Sequence, residues 1–241
     1  MPGFFYSMGK LVGPKFRKTK WVWDSLTASP DEVIRAEHET GRDMAAALAR
    51  QMPLDEDLDA ARWTIGLGQR LVARLTNQNR KWAFHVVAAP VANAWALPGG
   101  FIFVTRPLLD LCQRDADEVA FVLGHEMGHV VRKHAFDRLV SSTLLTAASS
   151  AAPLGRLVTA QAVQVGMKLI QSAYSQDQEL EADAFGARLA ASASFDSSAG
   201  MRTLQRLEAQ REQGVLPEIA AYFSTHPAMN LRISQIKRIV G

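Results

Sequence analysis

Apolar residues recur at helical spacing in the first third of the chain, crowd into short runs in its middle, and return to helical spacing towards its end. A repeat of 3.6 marks one face of a helix and a repeat of two marks one face of a strand. Ser29-Pro30-Asp31-Glu32 reads as a helix start, with Ser as N-cap, Pro at the first helical position and Glu at the capping-box position. The helix is expected to run to about Arg50, where Met52-Pro53-Leu54 breaks it. A second amphipathic run, from about Glu56 to Thr76, spaces Leu58, Ala61, Ile65, Val72 and Leu75 as a core-facing stripe. These helices are expected to form a supporting layer, with His38 on an exposed polar face.

From Trp82 to Ala88 the pattern changes to Phe84, Val86 and Val87, which predicts a strand ended by Pro90, with His85 facing solvent. Asn93 to Leu97 is a second extended piece, Pro98-Gly99-Gly100 a turn, and Phe101 to Val104 a third strand. Asp115 and Glu118 offer another capping box, and the helix they open is expected to run through His134, with Val119, Val122, Leu123 and Val130 as its apolar face. Gly124 and Gly128 lie inside it, where glycine costs roughly 1 kcal/mol against alanine, so a packing or site requirement is implied. Leu139 to Gly155 is free of charge but rich in Ser and Thr and interrupted by Pro153, which falls short of a membrane span. It reads as core helix or as a flap. Further helices are expected from Asp196 or Ser198 to about Gln213, with Met201, Leu204 and Leu207 inward, and after Thr225-His226-Pro227, with Leu231, Ile236 and Ile239 inward. Gly214 and Pro217 end the first of these. The predicted class is therefore α+β, mainly helical, with a small sheet placed before the central helix.

The chain has 241 residues, 48% of them apolar, which suits one domain with a sizeable core. Within it we expect a basic arm over residues 1–28, supporting helices over 29–80 and a catalytic core over 81–241. Its 27 Lys and Arg are offset by 24 Asp and Glu, leaving +3. That mild charge disfavours a nucleic-acid partner. Cys112 is the only cysteine, so neither an internal disulfide nor a cysteine-based metal cluster can form, and any metal must be held by His and carboxylate. The first twenty residues place Phe4, Phe5 and Tyr6 before Lys10, Lys15, Arg17, Lys18 and Lys20, the reverse of a signal-peptide order. This favours a cytoplasmic or membrane-peripheral protein, the arm being either solvated or docked on an anionic membrane or a partner.

The chemistry centres on His125-Glu126-Met127-Gly128-His129. Two histidines four apart share a helix face and can reach one metal ion, for which zinc is the expected choice, while Glu126 stands beside it as a general base. Glu179 and Asp183 share a face of a later helix whose neighbours Leu180, Ala184 and Ala187 are apolar. Glu179 can complete a His-His-Glu set, and Asp183 can accept the second ring N–H of a histidine ligand. Glu181 is expected at the surface or behind a ligand, and His134 in a structural or surface role. His226, just before a helix, is equally a cap or a site residue.

The H-E-x-x-H, the Glu179-Leu180-Glu181-Ala182-Asp183 segment, Asn93-Ala94 followed by Pro98-Gly99-Gly100, and Thr225-His226-Pro227 occur in this order from about Trp82 to Arg232. Joined in that way, they resemble the HtpX-like and CAAX-prenyl-protease-like zinc metallopeptidases. The resemblance implies a zincin-like (gluzincin) fold, one zinc ion held by His125, His129 and Glu179, Glu126 as base, Asp183 behind a ligand histidine, and His226 reaching the site. It implies too that Asn93, Ala94 and the Gly99-Gly100 turn border the substrate cleft. The sequence departs from many relatives in having Gln176 where they have Arg, and it lacks the clear transmembrane helices of the embedded members, so a compact soluble version is expected. The expected activity is endopeptidase cleavage of protein or peptide substrates, as in protein quality control. The alternative is a zinc-binding scaffold or chaperone-like module whose site is gated or inactive.

Overall fold

The structure is a computed structural model that describes residues 29–50, 52–137, 173–212, 226 and 229–240. The basic arm, the Leu139 to Gly155 run and the helix stop at Gly214 and Pro217 lie outside the described residues. In chain order the elements are α1 (Pro30–Ala49), α2 (Leu58–Val72), β1 (Ala83–Val87), β2 (Ala94–Leu97), β3 (Phe101–Thr105), α3 (Arg106–Leu111), α4 (Ala116–Val131), α5 (Gln176–Ser192), α6 (Ala199–Glu212) and α7 (Met229–Val240). The described part is mainly helical with one three-stranded sheet, as the pattern predicts.

The strand order is β1-β3-β2. β1 runs parallel to β3, pairing Phe84 with Ile102, and β2 runs antiparallel to it, pairing Ala96 with Ile102. One face of the sheet carries Phe84, Val86, Ala94, Ala96, Ile102 and Val104 into the main core against α2 and α4. The other face carries Val87, Trp95, Leu97 and Phe103 against Met44 and Leu48 of α1. The sheet is thus covered on both sides, and α4 lies directly on β2 and β3.

The Ser29 capping box forms as expected, its hydroxyl accepting from the Glu32 N–H while Glu32 accepts from Ser29. Helix α1 then grips the turn between β2 and β3. The His38 ring donates to the Gly99 carbonyl at 3.1 Å and stacks on Phe101, so it is a half-buried tether rather than part of an exposed polar face. His85 is likewise half-buried and stacked on Phe103.

Of the predicted stripe, Ala61, Val72 and Leu75 are partly buried against the core, but the fully buried face of α2 lies to one side of it. Ala60, Thr64, Leu67, Gly68 and Leu71 are buried, while Leu58 is 65% and Ile65 37% exposed. The reason is closeness: a Cβ at Gly68 would lie 2.5 Å from the Phe84 ring, so only the stripe of smaller residues lets the helix lie against the sheet. On α7 Ile236 is buried and Ile239 partly so, but Leu231 is 49% exposed, because Arg232 beside it is drawn fully inside. Leu204 and Leu207 of α6 are buried, as predicted.

Asp115 caps α4 by accepting from the N–H groups of Asp117 and Glu118. The reciprocal half of the expected capping box does not form. Glu118 instead is buried and paired with Arg202 and Arg206 of α6. The helix also ends earlier than predicted, at Val131, since Lys133 adopts φ 60 and turns the chain left-handed before His134. None of the described helices is long and apolar enough to cross a membrane.

Candidate metal centre

Every residue of α4 from Glu118 to Val130 is buried, because the sheet, α2, α5 and α6 all pack on it. Helix α5 crosses it at backbone contact. A Cβ at Gly124 would lie 3.1 Å from Gly186 Cα, one at Gly128 3.1 Å from Ala182 Cα, and one at Gly186 only 2.7 Å from the His125 nitrogen. This is the packing requirement that the glycines within α4 imply. The approach brings Glu179 and Asp183, one turn apart on α5, over His125 and His129, one turn apart on α4.

The two histidine Nε2 atoms stand 3.1 Å apart. Glu179 puts Oε1 3.3 Å from His129 Nε2 and Oε2 3.7 Å from His125 Nε2. His226 closes the group, its Nδ1 lying 3.0 Å from Glu179 Oε1 and 3.4 Å from His125 Nε2. One nitrogen or oxygen from each of these four buried residues falls within 4.8 Å of the others, close enough to hold a metal ion. Imidazole and carboxylate donors are the set zinc takes in catalytic sites. The fit extends to Glu126, whose two carboxylate oxygens are buried yet accept no hydrogen bond from a described residue. A buried polar group without a partner calls for a reason, and a proton-accepting role beside a metal supplies one.

Behind this group lies a layer of hydrogen bonds. Asp183 Oδ1 accepts from His125 Nδ1 at 2.8 Å. Arg232, fully buried, donates to both Asp183 oxygens at 2.8 Å and also lies 3.0 Å from Glu179 Oε2. His129 Nδ1 meets His134 Nδ1 at 2.9 Å, and the Tyr174 ring stacks on His129 with centroids 3.8 Å apart. His134 is therefore buried and tied to His129, not at the surface.

Charge follows this arrangement. Burial pushes the Glu126 carboxyl above its usual range, and the Glu179 charge adds to that, against the pull of His226 and His125. Burial would also raise Glu179, but His226 and Arg232 outweigh it and hold the carboxyl well below the usual range. Asp183 is lowered in the same way, burial being overcome by Arg232 and the His125 hydrogen bond. Burial drives His129 well below the usual imidazole range. The structure thus favours a neutral imidazole at His129 and ionised carboxylates at Glu179 and Asp183.

His125, Glu126, His129, Glu179, Asp183 and His226 come together from three separate stretches of sequence. The other predicted site residues, Asn93, Ala94, Gly99 and Gly100, lie at β2 and the turn after it, and β2 packs on α4. Asn93 uses its side chain to accept from the Ala94 N–H, and the Ala94 side chain is in the core. Gly99 and Gly100 are buried in the turn under α1, where a Cβ at Gly99 would lie 2.3 Å from His38 Cα and one at Gly100 2.1 Å from the Lys81 carbonyl oxygen. The sequence reading missed Arg232, Tyr174 and the bond from His134. Arg232 left a signal, an arginine among Met229, Ile233 and Ile236 on an otherwise apolar helix face. The other two left none, as nothing in their neighbours' spacing marks them.

A helix carrying H-E-x-x-H, crossed by a glutamate helix and with a small sheet packed beside it, is the zincin-like arrangement. Residues 59–240 match the model of peptidase family M48, and the chain belongs to that family, whose members are zinc-dependent. It is 34% identical over 174 residues to the mitochondrial metalloendopeptidase OMA1 of Schizosaccharomyces pombe, covering 70% of this chain and 50% of that protein. The identity is 30% over 170 residues to the OMA1 metalloendopeptidase of Homo sapiens, covering 66% of this chain and 32% of that protein. With the metalloprotease LoiP of Escherichia coli it is 33% over 159 residues, covering 64% of this chain and 61% of that protein. The chain thus spans half or less of the length of these OMA1 relatives.

Proposed function

We propose that this chain is a zinc-dependent endopeptidase in which His125, His129 and Glu179 hold the metal and Glu126 is the general base. The observation that carries this reading is the buried four-residue group beside a Glu126 carboxylate that accepts no hydrogen bond from a described residue. Bound there, zinc supplies a Lewis acid that polarises a peptide carbonyl and acidifies water. Glu126 takes a proton during attack and returns it to the leaving amine, a task suited to a carboxyl whose burial raises its pKa. Asp183, clamped by Arg232, fixes the His125 ring with its proton on Nδ1. Glu126→Gln is expected to reduce peptide cleavage to background while zinc content stays at one per chain. Cleavage retained in that variant would sink the mechanism.

His226 supports two roles. Its Nδ1 faces Glu179 and its Nε2 lies 3.6 Å from Glu126 Oε1, so it can donate to a developing oxyanion or stand in the site as a plug. His226→Ala separates them, since losing a donor lowers turnover and losing a plug raises it. The substrate is an extended protein or peptide segment lying along β2, with Asn93 and Ala94 at the border of the cleft. In the antiparallel register the Thr105 N–H donates to the Asn93 carbonyl, so the alternate residues Ala94 and Ala96 turn their carbonyls away from β3. In this reading residues 81–241 form the catalytic core, residues 29–80 support it, and the basic arm makes peripheral membrane contact. Flotation with anionic liposomes, with and without residues 1–28, tests the last point, and equal binding would remove it.

A further inference from the structure

The two histidines of the H-E-x-x-H are backed by different chemistry. Behind His125 stands the carboxylate of Asp183. Behind His129 stands a second imidazole, with Nδ1 of His134 2.9 Å away and Nε2 of His134 3.3 Å from Glu181 Oε2. Two ring nitrogens at hydrogen-bond distance need one proton between them. His129 turns Nε2 towards His125 and Glu179, and a neutral imidazole that offers its lone pair there carries its proton on Nδ1. That N–H donates to His134 Nδ1. The proton of His134 is then on Nε2, the nitrogen that faces Glu181.

The backbone makes this possible. Had α4 continued, His134, five residues after His129, would lie about 140° around the helix from it. The left-handed Lys133 ends the helix and returns His134 to the His129 ring. Glu181 comes from α5, two positions after Glu179, so it projects away from the four-residue group and meets His134 from the outer side. His134 is buried, whereas the Glu181 side chain is 56% exposed.

We propose that His134, oriented by Glu181, is a positioning residue that locks His129 in the tautomer and ring orientation needed to hold zinc through Nε2. The proposal rests on the reading of His129 as a zinc ligand. His134→Phe removes the acceptor and keeps a ring of similar size, while His134→Asn keeps an acceptor oxygen near the place of Nδ1. The readouts on the full chain are zinc affinity by competition with a chromophoric chelator, the visible spectrum of the cobalt-substituted protein, and melting of the metal-free protein as a check of folding. His134→Phe is expected to weaken zinc binding by about 10- to 100-fold and to shift the cobalt spectrum. His134→Asn is expected to recover most of the affinity, and Glu181→Gln to show a smaller loss.

Wild-type affinity in His134→Phe, or equal losses in the Phe and Asn variants, overturns the proposal. His129→Ala is the control. If it binds zinc as the wild type does, the ligand reading itself is wrong; if it loses zinc while His134→Phe does not, only the positioning role is lost. Should His134→Phe fail to fold, Glu181→Leu at its half-exposed position carries the test, with weaker zinc binding in support and unchanged affinity against.

Discussion

Two contacts in this molecule are built by the same steric rule and serve different ends. Where α5 crosses α4, a Cβ at Gly186 would lie 2.7 Å from the His125 nitrogen. Where α1 meets the β2–β3 turn, a Cβ at Gly41 would lie 1.8 Å from the Pro98 carbonyl oxygen, and Gly99 takes φ 78 beneath His38. In both places glycine lets backbone meet backbone. The first contact sets the spacing between two helices that carry the candidate metal-binding side chains, so an error of a few tenths of an ångström reaches the site. The second fastens an outer helix to the sheet, and an error there stays in the scaffold. Close packing bears on function only where the atoms it places are the reacting ones.

The largest effect that sharpens this contrast is metal removal. Chelation is expected to abolish cleavage and to lower the melting temperature, since a ligand at a hundred times its Kd stabilises a fold by about 2.7 kcal/mol. Next comes Gly186→Ala, which forces α5 away from α4. It is expected to weaken zinc binding at least about tenfold and to destabilise the protein by about 1–3 kcal/mol, both checked by chelator competition and thermal melting. Unchanged zinc affinity in that variant would break the comparison. Gly41→Ala is expected to cost a similar about 1–3 kcal/mol in melting experiments while its folded fraction binds zinc as the wild type does. The smallest effect is expected of Ile65→Lys, on the exposed face of α2, with stability within about 0.5 kcal/mol and turnover unaltered.

Much of the site was legible because it is written in local helical spacing. His125 and His129, like Glu179 and Asp183, are four apart, and a regular helix puts such pairs on one face whatever packs around them. The strands and the Ser29 cap were legible for the same reason. What escaped was set by contacts between elements. The stripe of Leu58 and Ile65 is as regular as the one that is buried, and only the nearness of the Phe84 ring selects the side with Gly68. Leu231 and Arg232 are neighbours, and hydropathy alone assigns the wrong one to the interior. Arg232 goes inside because Asp183 and Glu179, fifty residues earlier, await its charge.

The sequence alone therefore determined the mainly helical class, the donor types and the two helices that offer them, since each depends on residues within one or two turns. Tertiary structure decided how the helices approach, which nitrogen of each histidine faces inward, and which groups stand behind. The left-handed turn at Lys133, just past the end of α4, makes the point. No glycine or proline announces it, and His134 reaches His129 only because the chain turns there.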